Sequence, residues 1–181
     1  MIRTMRLLSS LSLLLVAGLS MAAPTAKEVI SKSLTDAKKG GKNVMVIFHA
    51  SWCGWCHRLD KFLDESEEGK SIKKGLEIVH LTVQEDAKHK SDENEGAIEL
   101  MKEWGSDQAG LPFMVILDAK TGKPVINSFQ KPGDTKTNTG YPGAPEEIAH
   151  FMKMLEVGAK KINKNDRTKI NAWLVANAPK Q

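Results

Sequence analysis

The chain has 181 residues, of which 41% are hydrophobic and 27% are charged. This composition is typical of a globular protein and excludes a disordered or fibrous one. Only two cysteines are present, which excludes a scaffold held by several disulfides and a four-cysteine metal site within one chain. The formal net charge of +4 would suit a nucleic-acid partner, but part of it lies at the N-terminus.

The first residues carry a basic start, a short apolar stretch and then small residues. Arg3 and Arg6 precede the apolar residues 7–19, and residues 20–23 read Ser-Met-Ala-Ala. This order is typical of a secretory signal peptide. An uncleaved N-terminal anchor is the alternative, although the apolar stretch is shorter than the roughly 20 residues of a membrane-spanning helix.

Cleavage is expected after Ala22 or Ala23, which divides the chain into a signal peptide, residues 1–22, and one mature domain, residues 23–181. The mature protein is expected to be periplasmic or secreted, without stable membrane insertion. Loss of two arginines leaves 24 basic residues against 22 acidic ones, a net charge of about +2. Because the lysines are spread among acidic residues, they indicate a solvated surface and predict no nucleic-acid partner.

The run Thr25-Ala26-Lys27-Glu28 has the spacing of a capping box and predicts the start of the first mature helix. Hydrophobic periodicity predicts nine helices and strands in the mature chain. In chain order they are a helix from Ala26 to Gly40, a strand from Asn43 to Ala50, a helix from Cys53 to about Glu65, a strand from Glu77 to Val83, a helix from Ala97 to Trp104, strands from Phe113 to Leu117 and from Val125 to Phe129, and helices from about Glu146 to Gly158 and from Asn165 to Ala176.

This order of elements predicts an α/β sandwich, with one mixed central sheet flanked by helices and an extra C-terminal helix. The strand that begins at Asn43 is apolar at almost every position, as expected where helices cover both faces of a sheet. A turn at residues 118–122 joins the last two strands into an antiparallel hairpin. Residues 130–145 form the longest irregular segment.

The two cysteines lie where the first strand leads into the second helix. A helix N-terminus offers unpaired N–H groups and positive potential, which favour the thiolate form of Cys53. The thiolate is the nucleophile in disulfide exchange. We therefore expect Cys53 to be the exposed, attacking residue, and Cys56, one helical turn later, to face inward and resolve the mixed disulfide.

The run from Trp52 to Cys56, together with the Gly110-Leu111-Pro112 sequence before a later strand, resembles the thioredoxin superfamily over nearly the whole mature chain. The longer run Trp-Cys-Gly-Trp-Cys-His-x-Leu-Asp and the Gly140–Gly143 loop are similar to exported bacterial thioredoxin-like proteins. The resemblance implies a thioredoxin-like three-layer sandwich and thiol:disulfide oxidoreductase activity that needs no cofactor.

The resemblance also implies roles for individual residues. Pro112 is expected to be cis and to lie beside the cysteines, with Leu111 presenting its backbone to the substrate. Trp52, Gly54 and Trp55 are expected to surround the two sulfur atoms. The implied partners are protein thiols or disulfides, with reduction slightly favoured and electrons supplied by a membrane donor.

One position departs from the family pattern. Many thioredoxins have a buried aspartate six residues before the first cysteine, where it assists proton transfer from the resolving thiol, whereas this chain has Ile47. His49 or His57 could replace it, because an imidazole exchanges protons near neutral pH. Alternatively, His49 is a packed strand residue and His57 a solvated helix residue.

The irregular segment before the penultimate helix contains Tyr141, which we expect to help select a partner, since long loops are often functional. A mobile surface loop is the alternative interpretation.

Three other functions fit the cysteine motif. The sequence from Cys53 to His57 also matches c-type haem attachment. A zinc site would need both cysteines and two histidines, but His80 and His89 lack zinc-finger spacing, and no metal site is expected. A binding or chaperone-like module could use the disulfide as a structural clip, although a four-residue loop stabilises weakly.

Overall fold

The computed structural model describes residues 23–179 of the chain. It contains six α-helices and four β-strands within that range. In chain order they are α1 (Ala26–Gly40), β1 (Asn43–His49), α2 (Gly54–Glu65), α3 (Glu67–Ile72), β2 (Leu76–Thr82), α4 (Ala97–Trp104), β3 (Phe113–Leu117), β4 (Pro124–Asn127), α5 (Pro145–Gly158) and α6 (Lys164–Ala176). All nine predicted elements are present, with bounds that differ by a few residues.

The helix termini follow local capping chemistry. The Thr25 hydroxyl accepts a hydrogen bond from the Glu28 N–H, and the Glu28 carboxylate accepts one from the Thr25 N–H, which completes the expected capping box. α3 was not predicted, because residues 67–70 are polar and include a glycine. Ser66 ends α2 and caps α3, since its hydroxyl accepts a hydrogen bond from the Gly69 N–H.

The four strands form one mixed sheet in the order β2-β1-β3-β4. β1 runs parallel to β2 and antiparallel to β3, and β3 pairs antiparallel with β4. The predicted mixed sheet and the predicted terminal hairpin are therefore both confirmed. β1 lies in the centre of the sheet, which explains its nearly continuous apolar sequence.

Alternate side chains of β1 enter two separate cores. Val44, Val46 and Phe48 pack with residues of α1 and α4 on one face of the sheet. Met45 and Ile47 pack on the other face with residues of α2, α3, α5 and α6. The predicted three layers are confirmed, and the extra C-terminal helix, α6, joins the α2 side of the sandwich.

The expected signal peptide, residues 1–22, lies outside the described residues. Among residues 23–179, no helix combines the length and the apolar character needed to cross a membrane. The segment before α5 contains a short 3-10 helix, Thr135–Thr137, and a bridge between Phe129 and Asn138.

Candidate redox-active site

The two cysteines lie at the carboxyl end of β1, where the chain turns into α2. Cys53 and Cys56 are joined in a disulfide. Cys53 caps α2, and its Sγ accepts a hydrogen bond from the Cys56 N–H at 3.1 Å. The first turn of α2 contains no acidic residue, so the positive potential of the helix N-terminus acts on Cys53 without opposition from that turn.

The cysteines are less accessible than the sequence suggested. Cys53 is only 4% exposed and Cys56 only 1%, so the expectation that Cys53 is exposed is wrong for the oxidised protein, whereas the inward position of Cys56 is as expected. Both pack against Ala50 and the partly buried Leu111. The large apolar side chains exposed beside them are those of Trp52 and Trp55, at 58% and 52%. An incoming partner therefore meets indole rings before it meets sulfur.

The strand-start proline lies in a fixed loop beside the disulfide. The peptide bond between Leu111 and Pro112 is cis. The side-chain amide of Asn138 donates to the Gly110 carbonyl at 2.7 Å and to the Pro112 carbonyl at 3.1 Å. The N–H and C=O of Leu111 have no hydrogen-bond partner among residues 23–179. A free backbone edge thus lies next to the cysteines, between two carbonyls that Asn138 holds.

Aromatic stacking connects α2 to the segment before α5. The rings of Trp55 and Tyr141 stack with centroids 6.0 Å apart, and the Arg58 guanidinium lies 5.0 Å from the Tyr141 ring. Tyr141 is only 5% exposed, so it supports Trp55 from below. A cavity of about 480 Å³ lies between this stack and Leu111. A second cavity, of about 990 Å³, lies on the other side of Trp55, above α2 and α6.

Two residues after β2 hold the turn that carries the cysteines, and sequence reasoning missed both. The buried Glu85 carboxylate accepts hydrogen bonds from the Ser51 N–H and hydroxyl, each at 2.6 Å. The Gln84 carbonyl accepts a hydrogen bond from the Trp52 indole at 2.8 Å. Gln84 has a φ of +56°, a left-handed conformation that is uncommon outside glycine. These bonds fix the approach to Cys53 from the sheet side.

His57 braces the same turn from the helix side. Its Nε2 lies 2.8 Å from the Ser51 carbonyl oxygen. Since a carbonyl only accepts hydrogen bonds, this nitrogen carries the hydrogen atom and the other nitrogen is the potential proton acceptor. The His57 side chain itself is exposed.

His49 lies on the α2 face of the sheet, close to two further titratable groups. Its ring centroid is 4.9 Å from that of His80, and His80 Nε2 lies 2.8 Å from Asp60 Oδ1. Burial lowers the pKa of His49, and the neighbouring His80 lowers it further. Burial is the largest single influence on the pKa of Asp60 and raises it, but the hydrogen bond from His80 and the charge interactions with His80, His49 and His57 together lower that pKa. Asp60 thus reaches across from α2 to β2 and is only partly exposed.

The zinc-site alternative gains no support from geometry. His89 pairs with the Asp86 carboxylate at 3.0 Å in the loop after β2. Among residues 23–179, no group of three His, Cys, Asp or Glu side chains is arranged to hold a metal ion.

Several solved structures are similar to this chain at low sequence identity. A disulphide isomerase from Xylella fastidiosa Temecula1 is 21% identical, with 83% of this chain and 89% of that chain covered and a TM-score of 0.48. The structure of a DsbH oxidoreductase is 22% identical, with 82% of this chain and 94% of that chain covered and a TM-score of 0.45. A thioredoxin from Thermus thermophilus is 22% identical, with 76% and 86% covered and a TM-score of 0.44. No curated protein sequence matches the chain.

A protein-family model described as Thioredoxin-like matches residues 25–119. The matched segment contains both cysteines and the cis proline, and it extends from the start of α1 to the end of β3. The expected resemblance and the expected fold are both confirmed, and a Cys-x-x-Cys pair at the start of α2 on this fold is the arrangement of a thiol:disulfide oxidoreductase. The chain belongs to the thioredoxin-like family.

Proposed function

We propose that the protein is an exported thiol:disulfide oxidoreductase that exchanges its Cys53–Cys56 disulfide with protein thiols or disulfides, with the reductive direction slightly favoured. The observation that carries this proposal is the position of the disulfide, at the N-terminus of α2 and beside the free backbone edge of Leu111. Positive helix potential lowers the pKa of a thiol at that place.

In the reductive direction, the Cys53 thiolate attacks one sulfur of the substrate disulfide, and the other substrate sulfur leaves as a thiolate. Cys56 then loses its proton and attacks Cys53 Sγ, which closes the Cys53–Cys56 disulfide and releases the second substrate thiolate. The substrate gains two electrons and the enzyme dithiol loses two. The enzyme dithiol loses two protons overall, and the two substrate thiolates take up two.

The substrate approaches between Trp55 and the cis-proline loop. Leu111 pairs its free N–H and C=O with the substrate backbone, as in addition of a strand to a sheet edge, and Pro112 keeps that edge beside Cys53. Trp55 presents an apolar surface, and Tyr141 selects partners indirectly by fixing the orientation of Trp55.

The residues next to the cysteines keep the two sulfurs in position. Trp52 is anchored by its indole and shields one side of the disulfide, while His57 holds the turn through the Ser51 carbonyl. A Cβ placed on Gly54 meets no atom within 4 Å, so Gly54 leaves room for a partner above the disulfide. His49 accepts the Cys56 proton in place of the aspartate that Ile47 replaces.

Export is supported by the basic, apolar and small-residue order of residues 1–23. An exported reductase is reoxidised at each turnover and needs a source of electrons. A membrane protein that carries electrons out of the cytoplasm is the chemical class of donor that meets this need.

The test combines a redox titration of the purified protein with trapping of mixed disulfides in the native host. A Cys56→Ala variant retains the attacking thiol but cannot resolve, so its partners stay covalently bound and can be identified, whereas Cys53→Ala is the matched control that traps none. Exported proteins and a membrane donor among the trapped partners support the proposal. A disulfide that neither titrates against glutathione nor traps partners contradicts it and favours the structural-clip alternative.

A further inference from the structure

Three titratable side chains from three different elements meet on the α2 side of the sheet. Asp60 of α2 accepts a hydrogen bond from His80 of β2 at 2.8 Å. The His80 ring contacts the ring of His49, at the end of β1, with centroids 4.9 Å apart and planes inclined by 59°. His49 Nε2 lies 3.3 Å from the Thr82 hydroxyl, and its other ring nitrogen has no hydrogen-bond partner among residues 23–179.

This group is connected to the resolving cysteine through α2 and β1. Asp60 follows Cys56 by four residues, a spacing that places both side chains on the same side of a helix. On β1, alternation puts His49 on the face that carries Ile47, towards α2. His49 also directly precedes Ala50, which packs in one cluster with both cysteines.

We infer that Asp60 and His80 are positioning residues that set the protonation of His49, so that His49 takes the proton of Cys56 when the mixed disulfide is resolved. This inference rests on the proposed exchange function and adds to it two residues that the sequence analysis did not assign to catalysis. The carboxylate fixes the His80 ring, and the His80 ring in turn contacts His49.

The charges around His49 act in opposite directions. His80 and His57 disfavour its protonated form, whereas Asp60 and Glu85 favour it. Burial is the largest influence and lowers the pKa of His49, so the ring is neutral near pH 7 and able to accept a proton.

The proton then has a way out to solvent. Asp60 and His80 line a surface cleft of about 500 Å³, whose rim carries Lys42, Lys73, Asp64 and Glu77. The Asp60 and His80 side chains are 31% and 35% exposed. A proton taken from Cys56 by His49 can therefore pass by way of His80 and leave through this cleft, and no proton remains buried after the disulfide closes.

The inference is tested by the rate of disulfide closure as a function of pH. Reduced protein is mixed with oxidised glutathione, quenched with acid at set times and analysed by mass spectrometry, which separates the glutathione adduct from the closed disulfide. His49→Gln is expected to slow closure at pH 7 by about a hundredfold, the lower range for loss of a general base. His80→Gln should raise the pH midpoint of closure, and Asp60→Asn should lower it, each by about one unit.

Opposite shifts are the informative result, because general loosening of the fold would move both midpoints in one direction. Asp86→Asn and His89→Gln alter a similar pair, 3.0 Å apart but on an exposed loop, and are expected to leave the midpoint unchanged. NMR titration of the histidine rings in the reduced wild-type protein measures the pKa of His49 directly, without any substitution. It should place the pKa of His49 below that of a solvated histidine.

Three results would overturn the inference while disulfide exchange itself continues. They are an ordinary pKa for His49, a closure rate that His49→Gln does not change, and shifts of the pH midpoint that have the same sign in His80→Gln and Asp60→Asn. A wild-type protein that forms no glutathione adduct would instead overturn the proposed function, and this inference with it.

Discussion

Replacement of Glu85 by alanine tests how much the turn that carries the cysteines is stabilised by the loop after β2. Glu85 is buried, and its carboxylate accepts both the N–H and the hydroxyl of Ser51 at 2.6 Å. Hydrogen bonds to a charged group contribute about 1.5–3 kcal/mol each, and an N–H left unpaired inside a protein costs about 1–3 kcal/mol. The carboxylate also loses its own hydration on burial, which offsets part of that gain.

We therefore expect Glu85→Ala to lower the free energy of unfolding by about 3 kcal/mol, since both Ser51 donors lose their partner and a small cavity is added. Glu85→Gln keeps one acceptor oxygen and should cost about 1 kcal/mol. The measurement is denaturant unfolding followed by circular dichroism, with the disulfide kept oxidised so that the cross-link is the same in both states.

Glu99→Ala is the matched control, because Glu99 is exposed on α4 and such a substitution usually changes stability by less than about 0.5 kcal/mol. Ser51→Ala combined with Glu85→Ala closes a double-mutant cycle, and the two changes should be clearly less than additive. A Glu85→Ala variant within about 0.5 kcal/mol of wild type would refute the reasoning, as would full additivity with Ser51→Ala.

Three further predictions follow from individual contacts. Gly69→Ala places a Cβ 1.9 Å from a backbone oxygen of α2 and should cost about 3 kcal/mol in thermal or denaturant unfolding, whereas Gly54→Ala, which meets open space, should be neutral or stabilising by up to about 1 kcal/mol. The pKa of His49 is lowered in the folded protein, so the unfolded chain takes up a proton at a higher pH than the folded chain does. The free energy of unfolding should therefore fall as the pH drops below about 6.5. A His49→Gln variant with an equally steep decline would contradict this. Trp55→Ala should raise KM for a peptide disulfide more than it lowers kcat. Tyr141→Phe keeps the stacked ring and should leave KM nearly unchanged. Equal effects of the two substitutions on KM would exclude ring stacking as the contribution of Tyr141 to substrate binding.

Local sequence signals were sufficient for most of the fold. The capping box at Thr25 and the apolar run of β1 depend on neighbours in the chain, and both predictions are confirmed. α3 was missed because Gly69 and its charged neighbours give no apolar period. The one available signal was Ser66 followed by two glutamates, a pattern typical of a helix N-terminus.

The surroundings of the site could not be predicted in the same way, because they depend on contacts between distant parts of the chain. Tyr141 is buried under Trp55 although it lies in an irregular segment rich in glycine and proline. Asn138 holds the cis-proline loop from the same segment. Nothing in the sequence indicates that Asp60, at a polar position of α2, pairs with His80 on β2. Side chains paired across the fold leave no periodicity in the sequence.

The cysteine motif itself was readable, since its chemistry is local to one turn and one helix start. What the motif did not indicate is how deeply the sulfurs lie. Leu111, which follows Cys53 by more than 50 residues and directly precedes Pro112 and β3, packs against the buried cluster of Ala50, Cys53 and Cys56.

Because β1 contributes side chains to two cores, substitutions in one core are expected to affect the redox site differently from substitutions in the other. Ile47 and Phe48 are neighbours in sequence, yet they pack in cores on opposite faces of the sheet. The core under α1 and α4 reaches the cysteines through Leu111, which packs against both, whereas substitutions in the core under α2 shift the helix that carries Cys56 itself. Thus, in diverging relatives, the redox properties should follow the odd-numbered positions of β1, 45 and 47, more closely than the even-numbered ones.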